Sequence, residues 1–376
     1  MLSRTPPMGW NSWNTFGPDI NEKIVKDTAD AMVELGYLRA GYEYVVIDDC
    51  WSLTERNEDG DLVADPEKFP GGMKALADYV HSKGLKFGIY SCAGVRTCAG
   101  YPGSFEHEYR DARLFASWGV DFLKYDFCNF PRSADCKNRY RTMALALRSS
   151  GRDILFSACN GGVKESASWM RGIGAHMFRS GGDIYDCWES MKGIMLCQME
   201  QFNGNAAGCF NDLDMLTVGM LGRGNVGQDN CCTQAEYDAQ FAFWCLCGSP
   251  LMMGADITNM DEVNRNLLLN AELIKINQDA ECRPACAINP TRVEFDPLVL
   301  VRLLEGGDIA IGLFNFTDVS KTAECIFTDL GIPCSAGYAL RLTDLFSGEE
   351  ILRREDIRTT VDAHSCKVFR AKLVRV

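Results

Sequence analysis

Residues 116–129 read ASWGVDFLKYDFCN. They place a helix end, a helix stop and a strand in one line. Ala116 to Trp118 close an amphipathic stretch, and Gly119 stands where a left-handed residue would end a helix. Val120, Phe122, Leu123, Tyr125 and Phe127 then read as a buried β-strand. Lys124 and Asp126 interrupt it at i and i+2, so both side chains leave the same face. Charged groups are seldom buried unless they are paired or used. The pair is either an internal ion pair or the working end of a site.

The same helix–glycine–strand unit recurs along the chain. MKALADYVHSKG precedes LKFGIYS, with Gly84 at the stop. INEKIVKDTADAMVELG carries Ile24, Val25, Ala29, Met32, Val33 and Leu35 on the helical period. Candidate strands lie at 8–13, 42–48, 85–91, 120–126, 153–159, 175–180, 206–212 and 250–256. Eight strand–helix units over about 280 residues match the count and length of a (β/α)8 TIM barrel. A doubly wound sheet is the main rival, but no glycine-rich phosphate loop follows any strand. After ELIKINQDAECRPAC (272–286) the helical period stops. VLVRLL, DIAIGLFNF, YALRLTDLF and CKVFRAKLV follow as short alternating strands, which predicts an appended antiparallel β-sandwich. The expected division is a catalytic barrel over 1–283 and a sandwich over 284–376.

The chain has 376 residues, 47% of them hydrophobic and 24% charged, as in an ordinary globular protein. A formal charge of −13 argues against nucleic-acid or anionic-membrane partners, whose phosphates it would repel. No apolar run approaches the roughly 18 residues of a membrane span. The opening MLSRTPPMGWNSWN has no apolar core of the signal-peptide type, which makes a cytoplasmic protein the expectation. Eighteen cysteines accompany only four histidines, and no zinc-type spacing recruits them. Cys197, Cys209, Cys245 and Cys247 sit in apolar runs, where a reduced cysteine packs as a small hydrophobe.

Barrel enzymes build their sites at the C-terminal ends of the strands. Those positions hold Asp48 and Asp49 on strand 2, and Lys124 and Asp126 on strand 4. Arg179 and then Asp183 follow strand 6, and Asp212 and Asp214 close strand 7. Trp10 and Trp13 lie on strand 1. Singly each has a structural explanation: a turn, an ion pair, a core tryptophan. Together, carboxylates recurring at one rim carry a repulsion that stability alone does not explain. Two chemistries use such a rim. Glycoside hydrolysis needs one ionised carboxylate and one protonated one. A Mg²⁺-dependent lyase would hold its metal on three carboxylates and abstract a proton with Lys124. Tryptophans suited to stacking on sugars, and the lack of an obvious second base, favour the first.

At these residues the chain resembles a known family. PPMGWNSWN, IDDCW, FPGGMKALADYVHSKGLKFGIYS, FRSGGDIYDCW and NDLDML are similar to glycoside hydrolase family 27, which holds α-galactosidases and α-N-acetylgalactosaminidases. The resemblance runs from Thr5 to about Asp279, and the tail resembles the family's C-terminal domain more loosely. It implies a retaining exo-glycosidase, with no metal or cofactor, releasing terminal α-galactose from a small neutral galactoside. It also implies Asp126 as nucleophile and Asp183 as acid/base, with carboxyls about 5–5.5 Å apart. On that mechanism Asp183 should have a raised pKa, and Asp126 should stay anionic beside Lys124. Asp48 and Asp49 match residues that accept hydrogen bonds from the 4- and 6-hydroxyls, and Trp10, Tyr90, Lys124, Arg179 and Asp214 match further sugar contacts. Cys98 and Cys128 match a family disulfide beside the pocket, and whether they pair is open.

One motif departs from the family. After strand 5 its α-galactosidases carry Cys-Glu-Trp, whose glutamate reads the 2-hydroxyl. Here SACNGG places Asn160 and Gly161 at those positions. An α-N-acetylgalactosaminidase is therefore the alternative. A β-L-arabinopyranosidase is disfavoured, because Asp48 is unaltered. A barrel lyase or a non-catalytic sugar-binding relative stays as a reading of a different class. A homo-oligomer is left open.

Overall fold

The computed structural model describes residues 2–201, 204–288 and 295–376. Eight short parallel strands form one sheet: β1 Met8–Asn11, β2 Tyr44–Val46, β3 Lys86–Cys92, β4 Phe122–Asp126, β5 Leu155–Ala158, β6 Met177–Arg179, β7 Phe210–Asp212 and β8 Leu251–Met253. Their spatial order runs from β7 down to β1 and then to β8. Leu216, just past β7, bridges Met253 of β8 in parallel and brings the sheet round on itself. All eight expected strands are present, most of them shorter than expected. The stretch expected to reach position 13 stops at Asn11, and Trp13–Phe16 turns into one turn of helix.

The glycine stops behave as the sequence predicts. Gly119 has φ 86° after the helix Glu108–Trp118. Its N–H reaches Ala116 O, and Val120 N–H reaches Phe115 O, which satisfies the last carbonyls of the helix. Gly84 ends the helix Gly72–Ser82 in the same way, with φ 79° and Leu85 N–H on Val80 O. Helices begin at equally local signals: the side chains of Asn21 and Asp135 accept an N–H in the first turn, and Thr233 with Glu236 forms a capping box.

The last helix of the barrel ends at Asn277. Beyond it lie β9 Cys286–Ala287, β10 Leu298–Leu303, β11 Ile309–Asn315, β12 Lys321–Ile326, β13 Tyr338–Asp344, β14 Glu350–Arg353, β15 Asp356–Val361 and β16 Ser365–Arg375. Six of them form an antiparallel sheet in the order β14-β13-β16-β11-β10-β9, and β12 pairs with β15 as a second layer. Val299, Ile311, Leu313, Ala323, Phe327, Ile357 and Phe369 fill the space between the layers. This is the sandwich the alternating pattern predicts, with four strands more than the sequence suggested.

The helix Gln234–Cys247 joins the two parts. It is buried along nearly its whole length, because the barrel covers one side and the sandwich the other. Phe243 meets Phe314 edge-on at 5.3 Å, and Arg302, 1% exposed, donates to Cys245 O at 3.0 Å. Among the described residues, no helix is long and apolar enough to cross a membrane.

Candidate active site

Strand alternation settles the opening stretch first. Leu123 and Tyr125 point outward under the helices, and Tyr125 packs on Tyr140 and Phe156. Lys124 and Asp126 point inward, level with Tyr90 and Cys92 of β3. They open on a pocket lined by Trp13, Asp48, Asp49, Tyr90, Cys98, Lys124, Asp126, Arg179, Asp183, Asp214 and their neighbours. Ten of these positions therefore come from the loops and strand ends of one rim, as the barrel architecture requires.

The lysine is not paired with Asp126. Its Nζ lies 2.6 Å from Asp48 Oδ2, which also accepts from Asn11 Nδ2 at 2.8 Å. The ammonium stands 5.4 Å over the Tyr90 ring. Burial disfavours the charged form of Lys124, but the nearby carboxylates, Asp48 above all, outweigh that and raise its pKa. Asp49 beside it accepts the N–H of Ala99 at 3.0 Å and of Cys50 at 2.8 Å. Desolvation still lifts its carboxyl above the ordinary value.

Asp126 Oδ1 accepts the N–H of Phe127 at 2.7 Å, and Oδ2 accepts the Tyr90 hydroxyl at 3.0 Å. Burial raises its pKa; the Lys124 charge and the two hydrogen bonds oppose that without cancelling it. Asp183 moves the other way. Desolvation pulls it up, but Arg179, Lys124 and the Arg179 hydrogen bond leave it below the ordinary carboxylate value. Its side chain is 79% exposed, so the direction rests on the guanidinium 2.9 Å away. The Asp183 shift runs against the sequence expectation, and the Asp126 carboxyl is lifted by burial although Lys124 pulls it down. The reason is a choice of partners: the lysine serves Asp48, and the arginine serves Asp183. Arg179 also binds Asp214 Oδ1 at 2.9 Å and the carbonyls of Gly181 and Gly182. Asp212 lies one layer deeper, where burial raises its pKa to about 6.

Three expected positions are placed differently. Trp10 is fully buried and donates its indole N–H to Ala255 O at 2.9 Å, so it belongs to the core. Trp13, three residues on and beyond the end of β1, is the tryptophan at the pocket. Asn160 is 3% exposed; its Nδ2 donates to Val163 O at 2.7 Å, and it does not line the pocket. Cys128 is set behind Cys98, to which it is joined by a disulfide, and only Cys98 reaches the pocket wall. Cys98 Sγ lies 3.5 Å from Asp126 Oδ2. Gly94 lets the two loops meet, since a Cβ there would stand 1.9 Å from Cys128 O. Asn14, Ile184, Tyr185, Met215 and Val226 complete the lining without having been expected. Tyr185 and Ile184 adjoin Asp183, and Met215 adjoins Asp214, so proximity to the motif was the available signal.

Residues 5–279 match the family described as Alpha galactosidase A, and residues 294–371 match the Alpha galactosidase C-terminal beta sandwich domain. The chain is 42% identical to an alpha-galactosidase of Coffea arabica over 98% of its own length and 94% of that protein's. Alpha-galactosidase I from Mortierella vinacea superposes with a TM-score of 0.92 at 32% identity, covering 98% of this chain and 97% of the other. The α-galactosidase of Saccharomyces cerevisiae, solved with raffinose, superposes at 0.87 with 29% identity and 98% coverage of both chains. A strand-end rim of carboxylates on this barrel, a β-sandwich behind it and these matches lead to one assignment: the chain belongs to glycoside hydrolase family 27, the α-galactosidase family.

Proposed function

We propose that this protein is a retaining exo-α-galactosidase with Asp126 as nucleophile and Asp183 as acid/base. The observation that carries the reading is that these two carboxyls line one pocket from β4 and the loop after β6, each with its own cationic or hydrogen-bonding partners. Raffinose on the yeast relative supports a terminal α-galactoside as substrate. In the first step a carboxylate oxygen of Asp126 attacks the anomeric carbon. The glycosidic C–O bond breaks, and the leaving oxygen takes the Asp183 proton. In the second step water attacks the same carbon, gives its proton to Asp183 and frees Asp126. Asp48 and Asp49 offer acceptor oxygens to sugar hydroxyls, and a sugar whose hydroxyl points elsewhere would leave them unpaired.

Asp126→Asn should lose turnover of an aryl α-galactoside by a factor on the order of 10⁴ while keeping its unfolding transition. The first-formed sugar, followed by proton NMR, should be the α-anomer. A β-anomer would sink the retaining mechanism. The acetamido-sugar alternative draws on one feature: a Cβ at Gly181 or Gly182 would meet nothing within 4 Å, and one at Gly161 only Gly181 O at 4.0 Å. A cytoplasmic setting is supported by the sixteen free thiols outside the Cys98–Cys128 pair, and the disulfide of that pair weighs against it.

A further inference from the structure

We propose that Asp212 is a positioning residue for proton transfer: it fixes Asp214 in a left-handed conformation, and Asp214 in turn aims the Asp183 carboxyl. The proposal rests on the reading of Asp183 as acid/base and adds the device that holds it in place.

The loop that carries Asp183 has little support of its own. A Cβ at Gly181 or Gly182 would meet nothing within 4 Å, and the Asp183 side chain is mostly exposed. Two contacts set where that side chain points, and both run through Asp214. Its Oδ2 accepts the Ile184 N–H at 2.8 Å, which pins the residue next to Asp183. Its Oδ1 lies 2.9 Å from Arg179 Nη1, and Nη2 of the same guanidinium holds Asp183 Oδ1 at 2.9 Å together with the carbonyls of Gly181 and Gly182. One carboxylate thus fastens the backbone beside Asp183 and the cation that grips its side chain.

Asp214 does this from a backbone conformation that residues with a Cβ seldom adopt, with φ 76°. Such a conformation persists only where its surroundings impose it. Both ends of the residue are held. The Trp244 indole N–H reaches Asp214 O at 2.8 Å, and the Asp214 N–H reaches Asp212 Oδ1 at 3.0 Å. Asp212 stands in register with Arg179 across β6 and β7. It is buried outside the catalytic pocket and faces a smaller cavity beneath it, beside Asn11, Lys124 and Arg179. Two buried carboxylates two residues apart repel each other, a cost that favours neither the strand nor the turn. Since Asp212 does not reach the sugar pocket, its effect on the reaction passes through Asp214.

A misplaced acid costs most where the leaving group needs its proton. Asp212→Ala removes the acceptor and should lower kcat/KM on raffinose by about 10²-fold, the scale of a displacement near 1 Å. On dinitrophenyl α-galactoside, whose phenolate departs without a proton, the loss should be about threefold. Asp212→Asn keeps an oxygen for the Asp214 N–H and should recover at least about tenfold on raffinose relative to alanine. Should the alanine variant not fold, Asp212→Ser, too short to reach that N–H, takes its place with the same expectation. A merely structural defect slows both substrates alike. Equal losses on the two, in a variant with an intact unfolding transition, would therefore overturn the proposal, as would an asparagine variant no better than alanine. Asp183→Ala is the reference and should show the same split between substrates; its absence there would overturn the reading of Asp183 beneath the proposal.

Discussion

At the scale of single residues, one face of one strand holds two charges with different partners. Lys124 is committed to Asp48 at 2.6 Å, so Asp126 keeps a pKa raised by burial, while Arg179 holds Asp183 low. The catalytic form needs Asp126 ionised and Asp183 protonated, and the two shifts, Asp126 upward by burial and Asp183 downward by Arg179, both run against it. The two limbs of the profile therefore belong to the pair. As pH falls the raised Asp126 loses its charge; as pH rises the lowered Asp183 loses its proton. The optimum of kcat/KM should lie below pH 7, with a fall of about tenfold per pH unit on either flank. An optimum above neutrality would show that another group donates the proton. The tryptophans make a second test. Trp10→Phe should cost about 1–3 kcal/mol of stability in urea unfolding with little change in KM, since Trp10 is core and bonded to Ala255. Trp13→Ala should raise KM and shift the unfolding midpoint less. The reverse pattern would restore Trp10 to the site.

At the scale of elements, the loops after β3 and β4 act as one unit. The Cys98–Cys128 disulfide joins them, Asn129 Nδ2 donates to Thr97 O at 2.8 Å, and Gly94 packs on the Cys128 carbonyl. The same β3 loop sends the Ala99 N–H to Asp49 and rests Cys98 Sγ 3.5 Å from Asp126. Opening the disulfide should loosen both carboxylates together. Cys98→Ser with Cys128→Ser should lower kcat/KM roughly 10- to 100-fold, the scale of a displacement near 1 Å. It should also cost about 2–4 kcal/mol, read from chemical denaturation. Unchanged kinetics in that variant would make the bridge irrelevant to the site.

At the scale of the whole molecule, the barrel and the sandwich share one core. Trp188 stacks on His364 at 4.5 Å, His364 Nδ1 lies 2.8 Å from Glu236, and Phe243 meets Phe314. Truncation after residue 283 should therefore give an aggregating barrel, not an active one, because Trp188 and Phe243 lose their cover. A soluble, fully active truncated chain, seen by gel filtration and turnover, would contradict this.

By itself the sequence determined the barrel, the sandwich and the strand ends that carry the carboxylates. Those follow from local rules: apolar period, glycine stops and alternation act over a few residues, as at Gly119 and across Lys124 and Asp126. Only the tertiary structure decided the partners. Lys124 chose Asp48, 76 residues away, and Arg179 took Asp183 and Asp214. It also decided that Trp10 faces the core while Trp13 faces the pocket, and that Asn160 turns aside to Val163. Such choices depend on distances between strand ends brought together by closing the sheet, and on which charges are desolvated there. Neither quantity exists along a linear chain.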